Sequence, residues 1–416
     1  MDIIKSFQGK KFITTFLKWS IIAGIVGLVG GVVGSLFHIC VDLATEIRVE
    51  NSWIIALLPL GGMLIVGISK LLRSEGVMNT NKVLEAVRKE NKIPFIMAPL
   101  IFISTIITHL LGGSVGREGA ALQLGGSIGY KVGKIFRLKK SDMHIIVMAG
   151  MSAVFTALFG TPLTATVFAI EVVSVGIMYY SALFPCMAAS ISALAVAKWF
   201  HIAPVSFTLS GGFPEITVLT TIKVVGIAVC CALVSILFCW SIKKCEHFSE
   251  KIIKNSFLRA LVGGAIIVIL TFALNTTDYN GAGMDVIAKA LGGEARYEAF
   301  LLKILFTVIS ISAGFKGGEI VPTFFIGSTF GCVMGSLFGL DAGVGAALGF
   351  VALFCGVVNC PVASTFLAIE VFGGQWTLMF GLVCAVSYLM SGYSSLYKSQ
   401  KFIHSKLEVK TFDDIN

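Results

Sequence analysis

An arginine and a glutamate, Arg117 and Glu118, stand side by side within residues 112–129, GGSVGREGAALQLGGSIG. Residues 93–111 before them are apolar, broken only by prolines, hydroxyl residues and His109. Lys131, Lys134, Arg137, Lys139 and Lys140 follow. If both flanks lie in a membrane, Glu118 sits at depth, where an ionised side chain costs roughly 2.5–3.5 kcal/mol or more. Glycines at 112, 113, 116 and 119 let the backbone leave one helix, approach a ligand closely and start another. The start of a helix offers free N–H groups and the positive end of its dipole, which together attract an anion. The chemistry that fits is a contest in which an anion and a carboxylate compete for the same donors. Desolvation favours the protonated carboxyl and the helix start favours the carboxylate, so such a group can titrate near working pH.

The elements that must position this pair are membrane helices. Of the 416 residues, 56% are hydrophobic and 13% charged, and the mean hydropathy is +0.91. Soluble domains carry about 25% charged residues. The formal charge of +9 comes from lysines and arginines clustered in short segments between apolar runs, which is the positive-inside pattern rather than a nucleic-acid surface. No cleavable leader is expected, because Lys5, Lys10, Lys11 and Lys18 lead directly into a long apolar run. The ten cysteines form no C-x-x-C pair and read as small buried hydrophobes, and the six histidines show no metal-ligand spacing.

Spans need about 20 apolar residues. Residues 19–40 and 53–68 are the first two, each opened by a tryptophan, with 41–52 expected as the loop between them. That loop holds Asp42, Glu46 and Glu50 against Arg48, whereas the N-terminus and residues 70–92 are basic, which places the N-terminus in the cytoplasm. The same rule makes the basic stretches 131–140, 243–259 and 398–410 cytoplasmic, and with them the C-terminus. Many later apolar stretches are cut by Pro94, Pro99, Pro162, Pro185, Pro322 or Pro361. Broken helices at membrane depth are tolerated only where protein or water satisfies the backbone, which points to a transporter or channel.

The chain is internally duplicated. Residues 160–172 (GTPLTATVFAIEV) and 359–371 (NCPVASTFLAIEV) are identical at six of thirteen positions, including Pro162/Pro361, Thr166/Thr365 and Glu171/Glu370. Residues 113–127 likewise match 314–328, setting Gly116, Glu118, Gly126 and Ser127 against Gly317, Glu319, Gly327 and Ser328. Paired breaks of this kind mark a site between repeats, and inversion of one repeat would turn both glycine-rich helix starts on one anion. The expected layout is a basic cytoplasmic segment at 1–18, repeats at 19–202 and 216–398, a polar linker at 203–215 and a short cytoplasmic tail at 399–416.

These features together resemble the CLC family of anion channels and anion/proton antiporters. The residues that carry the resemblance are Gly116-Arg117-Glu118-Gly119-Ala120, where the family has GREGP, and Gly318-Glu319-Ile320-Val321-Pro322, where it has GxFxP. The segments around Glu171 and Glu370, and Ser395-Leu396-Tyr397-Lys398-Ser399, match as well. The resemblance runs from about Trp19 to Lys398 and implies an all-α polytopic membrane protein of interrupted, tilted helices in two inverted repeats. It also implies a homodimer in the lipid bilayer of the inner membrane, with no soluble regulatory domain expected after Tyr397. It assigns gating and proton transfer to Glu118; Glu319, which the internal repeat aligns with Glu118, is the second candidate for that role. The anion-binding set it implies is Met78, Asn79, Gly116, Arg117, Gly119, Gly318, Ile320, Val321 and Tyr397. Tyr393, one helical turn before Tyr397, competes for the tyrosine role.

Three departures bear on the substrate. The family's Gly-Ser-Gly-Ile-Pro loop falls near Gly76-Val77-Met78-Asn79-Thr80, without its serine or proline. The internal proton-carrying glutamate of chloride/proton antiporters is here Val172, and the GxFxP motif carries Glu319 and Ile320. Together these resemble the fluoride-exporting branch, a secondary transporter exchanging fluoride for protons without a cofactor. The alternative is a chloride/proton antiporter or passive chloride channel on the same fold. An intramembrane enzyme with Glu118 and Glu319 as an acid/base pair lacks any nucleophile–base constellation in the sequence. A scaffold has no use for duplicated carboxylates at glycine breaks. Glu171 and Glu370 read as structural, tying helix ends to neighbouring loops, and a structural ion pair of Arg117 with Glu118 is the plain alternative to gating.

Overall fold

The computed structural model describes residues 8–72, 74, 79–89, 91–209 and 212–408. Sixteen α-helices are found among them. The first repeat holds α1 (Gln8–Glu50), α2 (Leu58–Leu71), α3 (Thr80–Lys89), α4 (Met97–Leu110), α5 (Glu118–Ile135), α6 (Lys140–Phe159), α7 (Pro162–Glu171) and α8 (Leu183–Trp199). The second holds α9 (Val218–Ile252), α10 (Ser256–Leu274), α11 (Met284–Leu291), α12 (Ala299–Ala313), α13 (Ile320–Leu337), α14 (Ala342–Val358), α15 (Pro361–Phe372) and α16 (Thr377–Met390). Among the described residues seven helical stretches are long and apolar enough to cross a membrane, and the protein is an integral, multi-pass membrane protein. Others are too short to span: α7, with 10 residues, covers about 15 Å of a hydrocarbon core about 30 Å thick.

The first helix corrects the sequence reading. Residues 41–52 were expected as a loop, but α1 continues through them to Glu50. Asp42, Glu46 and Glu50 recur every four residues, so one helical face gathers them while Val41, Ala44 and Arg48 are buried. Charge density reads as a loop in one dimension and as a polar helical stripe in three. The second span begins as a short 3-10 helix, Ser52–Leu57, and becomes α2 with Pro59 in its first turn, where proline's missing N–H costs nothing.

The duplication is inverted in space. Helices α7 and α15 are repeat equivalents, each opened by a proline at its first turn and preceded by a residue in the left-handed region, Gly160 (φ 69°) or Asn359 (φ 57°). Glu171 at the end of α7 accepts the N–H groups of Val362 and Ala363 at the start of α15, at 3.2 and 2.8 Å. Glu370 near the end of α15 accepts those of Leu163 and Thr164 at the start of α7, at 3.0 and 2.8 Å. Two helices can serve each other's starts in this way only if they run antiparallel. Each carboxylate therefore caps the opposite repeat, where a tie to neighbouring loops was expected.

Each repeat has its own tight helix pair. A Cβ on Gly125 of α5 would stand 2.7 Å from the Gly150 carbonyl carbon of α6, and one on Gly327 of α13 would stand 2.9 Å from that of Gly349 in α14. Backbones in direct contact replace the hydrophobic drive that lipid cannot supply between helices. These two pairs fix the axes of α5 and α13, whose first turns carry the site. Residues 203–215 form no helix among those described, and they join both repeats: the Val205 N–H donates to Phe159 O at 2.8 Å and the Phe207 N–H to Val371 O at 2.9 Å. Near the C-terminus β2 (Lys401–Phe402) pairs in parallel with β1 (Ser174–Val175), anchoring the last described segment to the stretch that follows α7.

Candidate functional site

The site is built from two backbone breaks. After α4 the chain turns at Gly112 (φ 85°), and after α12 at Gly314 (φ 101°), values that side-chain-bearing residues rarely adopt. The two following loops meet as an antiparallel bridge: the Gly116 N–H donates to Gly318 O and the Gly318 N–H to Gly116 O, each at 2.6 Å. Only glycine permits this approach, since a Cβ on Gly318 would lie 2.8 Å from the Glu118 nitrogen. Directly beyond the bridge, α5 begins at Glu118 and α13 at Ile320.

Glu118 is fully buried. Its Oε2 accepts the N–H of Arg117 at 3.0 Å and that of Val321, in the first turn of α13, at 3.1 Å. The carboxylate thus occupies donors from the starts of both helices, the position an anion would take. Its Oε1 is buried with no hydrogen-bond partner among the described residues. Arg117 does not pair with the Glu118 carboxylate through its side chain. Its Nη1 donates to Asp42 Oδ1 at 2.8 Å, and Asp42 Oδ2 lies 3.0 Å from His38 Nε2. The ion pair considered from the sequence is replaced by one that reaches back to α1, and no ion pair to Glu118 is found among the described residues.

Glu319 stands directly before α13 as Arg117 stands directly before α5, and neither side chain bonds the start of its own helix. A methyl placed on Gly119 would stand 3.0 Å from Gly318 Cα and 3.1 Å from Glu319 Oε2, so this second carboxyl lies against the start of α5. Each glutamate therefore sits against the opposite repeat's helix. Glu319 Oε2 is also buried with no hydrogen-bond partner among the described residues. Ile320 and Val321 are buried and supply backbone to this wall.

The two tyrosines separate clearly. Tyr397 is 3% exposed, its hydroxyl is buried without a hydrogen-bond partner among the described residues, and it lies within electrostatic range of Glu319 and Glu118. Tyr393 is 44% exposed, with its hydroxyl 3.0 Å from Ser405 Oγ. Met78 lies outside the described residues, as do Gly76 and Val77. Asn79 is exposed directly before α3. Val172 is fully buried and its carbonyl accepts from Gln400 Nε2 at 2.9 Å.

Gln123 and Lys303, which the sequence reading passed over, support this arrangement, as do Thr80 and Arg48, which it named without this role. Thr80 Oγ1 donates to the Gly119 carbonyl at 3.3 Å and accepts from Gln123 Nε2 at 3.2 Å, holding α3 against the start of α5. Lys303, a lone cation in the apolar run of α12, is fully buried. Its Nζ donates to the carbonyls of Tyr279 and Gly281 at 3.2 and 2.7 Å and stands 4.9 Å from the Phe325 ring centroid. Arg48 donates to His109 O at 2.7 Å, meeting the negative end of the α4 dipole. A charged residue in an apolar run was the signal available for Lys303. A cavity of about 650 Å³ reaches the site from the α1 end, lined by Asp42, Glu46, Arg48, His109, Arg117 and Val321.

Interrupted helices in two inverted copies, with two carboxylates facing across a glycine bridge, define the class: a membrane protein with the anion/proton antiporter fold. The chain belongs to the CLC family: its residues 61–392 match the family described as Voltage gated chloride channel. A chloride/fluoride channel protein of Pseudomonas syringae pv. tomato is 36% identical over 397 residues, covering 94% of this chain and 87% of that protein. The H(+)/Cl(-) exchange transporter ClcA of Vibrio campbellii is 25% identical, covering 91% and 87%. A crystal structure of a CLC-type fluoride/proton antiporter superposes with a TM-score of 0.89 at 31% identity, covering 93% of this chain and 98% of that one. A slow cyanobacterial Cl-/H+ antiporter shares the fold at a TM-score of 0.75 and 19% identity.

Proposed function

We propose that this protein is a fluoride/proton antiporter that exports fluoride from the cytoplasm as protons move inward. The observation that carries this is a set of three buried polar atoms, Glu118 Oε1, Glu319 Oε2 and the Tyr397 hydroxyl, none with a hydrogen-bond partner among the described residues. Buried polar groups are normally satisfied. Two carboxyls and a phenol left open around one bridge suit traffic in a proton and a small anion that takes strong hydrogen bonds. Glu118 serves as the gate: as a carboxylate it holds the Arg117 and Val321 N–H groups, and once protonated it releases them to an incoming anion. Glu319, as a neutral acid, donates to fluoride on the other side of the bridge. Gly116, Arg117, Gly119, Gly318, Ile320 and Val321 furnish the backbone wall, and Asn79 and Tyr397 furnish side-chain donors.

Support also comes from the likeness to a chloride/fluoride channel protein and to a CLC-type fluoride/proton antiporter. Hydrogen fluoride crosses membranes as the neutral acid and dissociates inside, so export driven by inward protons drains the trapped anion. The protein acts as a homodimer in the inner membrane with both termini in the cytoplasm. A chloride/proton exchanger is the second reading, favoured by the match to ClcA. Val172 weighs against it, since valine carries no proton. Efflux from proteoliposomes, with fluoride, chloride and pH recorded together, tests the proposal. Proton-coupled fluoride efflux far exceeding chloride efflux is expected, and equal rates overturn it.

A further inference from the structure

Two residues beyond Asn79, Asn81 stands in the first turn of α3 with both ends of its amide engaged. The Ser399 N–H donates to Asn81 Oδ1 at 2.9 Å. Asn81 Nδ2 donates to Asn79 Oδ1 at 2.9 Å, and the Asn81 backbone N–H reaches the same oxygen at 2.8 Å. Which atom is oxygen and which nitrogen follows from the backbone. A main-chain N–H only donates, so the atom of Asn81 that meets Ser399 must be its oxygen, and the atom of Asn79 that meets the Asn81 N–H must be oxygen too. The Asn79 oxygen is thereby turned into the helix start, and its NH2 group, two donors and no acceptor, is left facing away from it. On its other side Asn81 holds the segment that carries Tyr397 two residues before Ser399, and Arg88 Nη1 donates to the Ser399 carbonyl in support. Tyr397 is the residue whose buried hydroxyl has no hydrogen-bond partner among those described. Next to Asn81, Thr80 binds the carbonyl of Gly119, which directly follows Glu118.

We propose that Asn81 is a positioning residue for anion selection, setting the Asn79 amide and the Tyr397 segment at a fixed separation beside the gate. This rests on the fluoride reading above. A small anion is held well only by donors that close tightly around it, whereas a larger one tolerates a looser cage. Freeing Asn79 from the Tyr397 segment therefore costs fluoride more than chloride.

The test is Asn81→Ala in proteoliposomes, with fluoride and chloride efflux measured on the same preparation. The backbone bond from residue 81 to Asn79 survives the substitution, so the helix start is retained while the side-chain links to Ser399 and to Asn79 are both cut. The ratio of fluoride to chloride rates should fall about tenfold, the scale of one or two hydrogen bonds. In an Asn79→Ala background the same substitution should change the ratio less than in the wild type, because one of the two positioned donors is already gone. Asn81→Ser, too short to span both partners, replaces the alanine variant should that fail to assemble, with the same fall expected. A merely structural role would slow both anions together. A wild type without fluoride preference overturns the fluoride reading and this inference with it. A wild type that prefers fluoride, with the ratio unchanged in the Asn81 variant or falling equally in the Asn79→Ala background, overturns this inference alone.

Discussion

Gly116 and Gly318 exchange both of their backbone hydrogen bonds at 2.6 Å, which makes the two halves of the duplication a single wall at the site. An isolated antiparallel bridge at membrane depth satisfies four backbone groups that neither repeat could satisfy alone. Gly318→Ala should break it, because the added carbon lies 2.8 Å from the Glu118 nitrogen. The expected outcome is a loss of about 1–3 kcal/mol from groups left unpaired, read as a lower thermal midpoint in detergent, together with impaired transport. Wild-type stability and transport in this variant would show that the loops have room to part.

Glu118→Gln should abolish proton-coupled exchange. The amide can accept from Arg117 and Val321 but cannot pick up or release a proton, so any residual anion flux should no longer move pH. A variant that still drives protons uphill when fluoride is supplied would remove Glu118 from the proton route.

The reach of sequence reasoning shows in which residues it found. Glu118 and Glu319 were legible because each is a charge among glycines inside an apolar stretch, and the duplication around Glu171 and Glu370 was legible as a repeated string. Inversion leaves no mark on a one-dimensional match and was expected only through the family resemblance. The crossed bonds from Glu171 to Ala363 and from Glu370 to Thr164 bear it out. Arg48 and Asp42 were misplaced in a loop because a helix with one polar stripe and a polar turn share a composition. Asn81 and Gln123 escaped notice, and Thr80 was named only as part of a loop, for a different reason. Their partners lie far off in sequence or carry no unusual chemistry of their own.

Those crossed bonds carry an expectation of their own. Glu171→Leu leaves the Val362 and Ala363 N–H groups at the start of α15 without an acceptor, at a cost of about 1–3 kcal/mol each if no water reaches them. Glu171→Gln, which keeps an oxygen, should lose less. Thermal melts of the two variants in detergent would order them so, with selectivity unchanged in both. A change in selectivity would instead give Glu171 a part in transport.

Tyr397→Phe removes one buried hydroxyl donor, worth about 0.5–1.5 kcal/mol at a typical hydrogen bond. Fluoride transport should slow by about two- to tenfold with the fold intact. Tyr393→Phe should transport as the wild type does, since its hydroxyl meets Ser405 on an exposed face. Initial efflux rates of the two variants side by side decide between the tyrosines, and the reverse order would move the role to Tyr393.

Glu319 makes the sharpest demand on the fluoride reading. Its carboxyl lies against the start of α5 while Glu118 lies against the start of α13, so the two acids flank the bridge from opposite repeats. An ionised carboxylate there would repel an arriving anion and cost several kcal/mol to keep unpaired. A neutral acid instead donates a hydrogen bond, and fluoride, being small, takes such bonds more strongly than chloride does. Glu319→Gln retains a donor but loses the titratable proton. Fluoride transport should therefore drop sharply while the protein still assembles, and the fluoride-to-chloride ratio should fall with it. Measuring both anions and pH in one vesicle preparation separates the possibilities. Proton-coupled transport at the wild-type rate in Glu319→Gln would make this residue a bystander, and a drop in rate with coupling preserved would limit it to binding the anion.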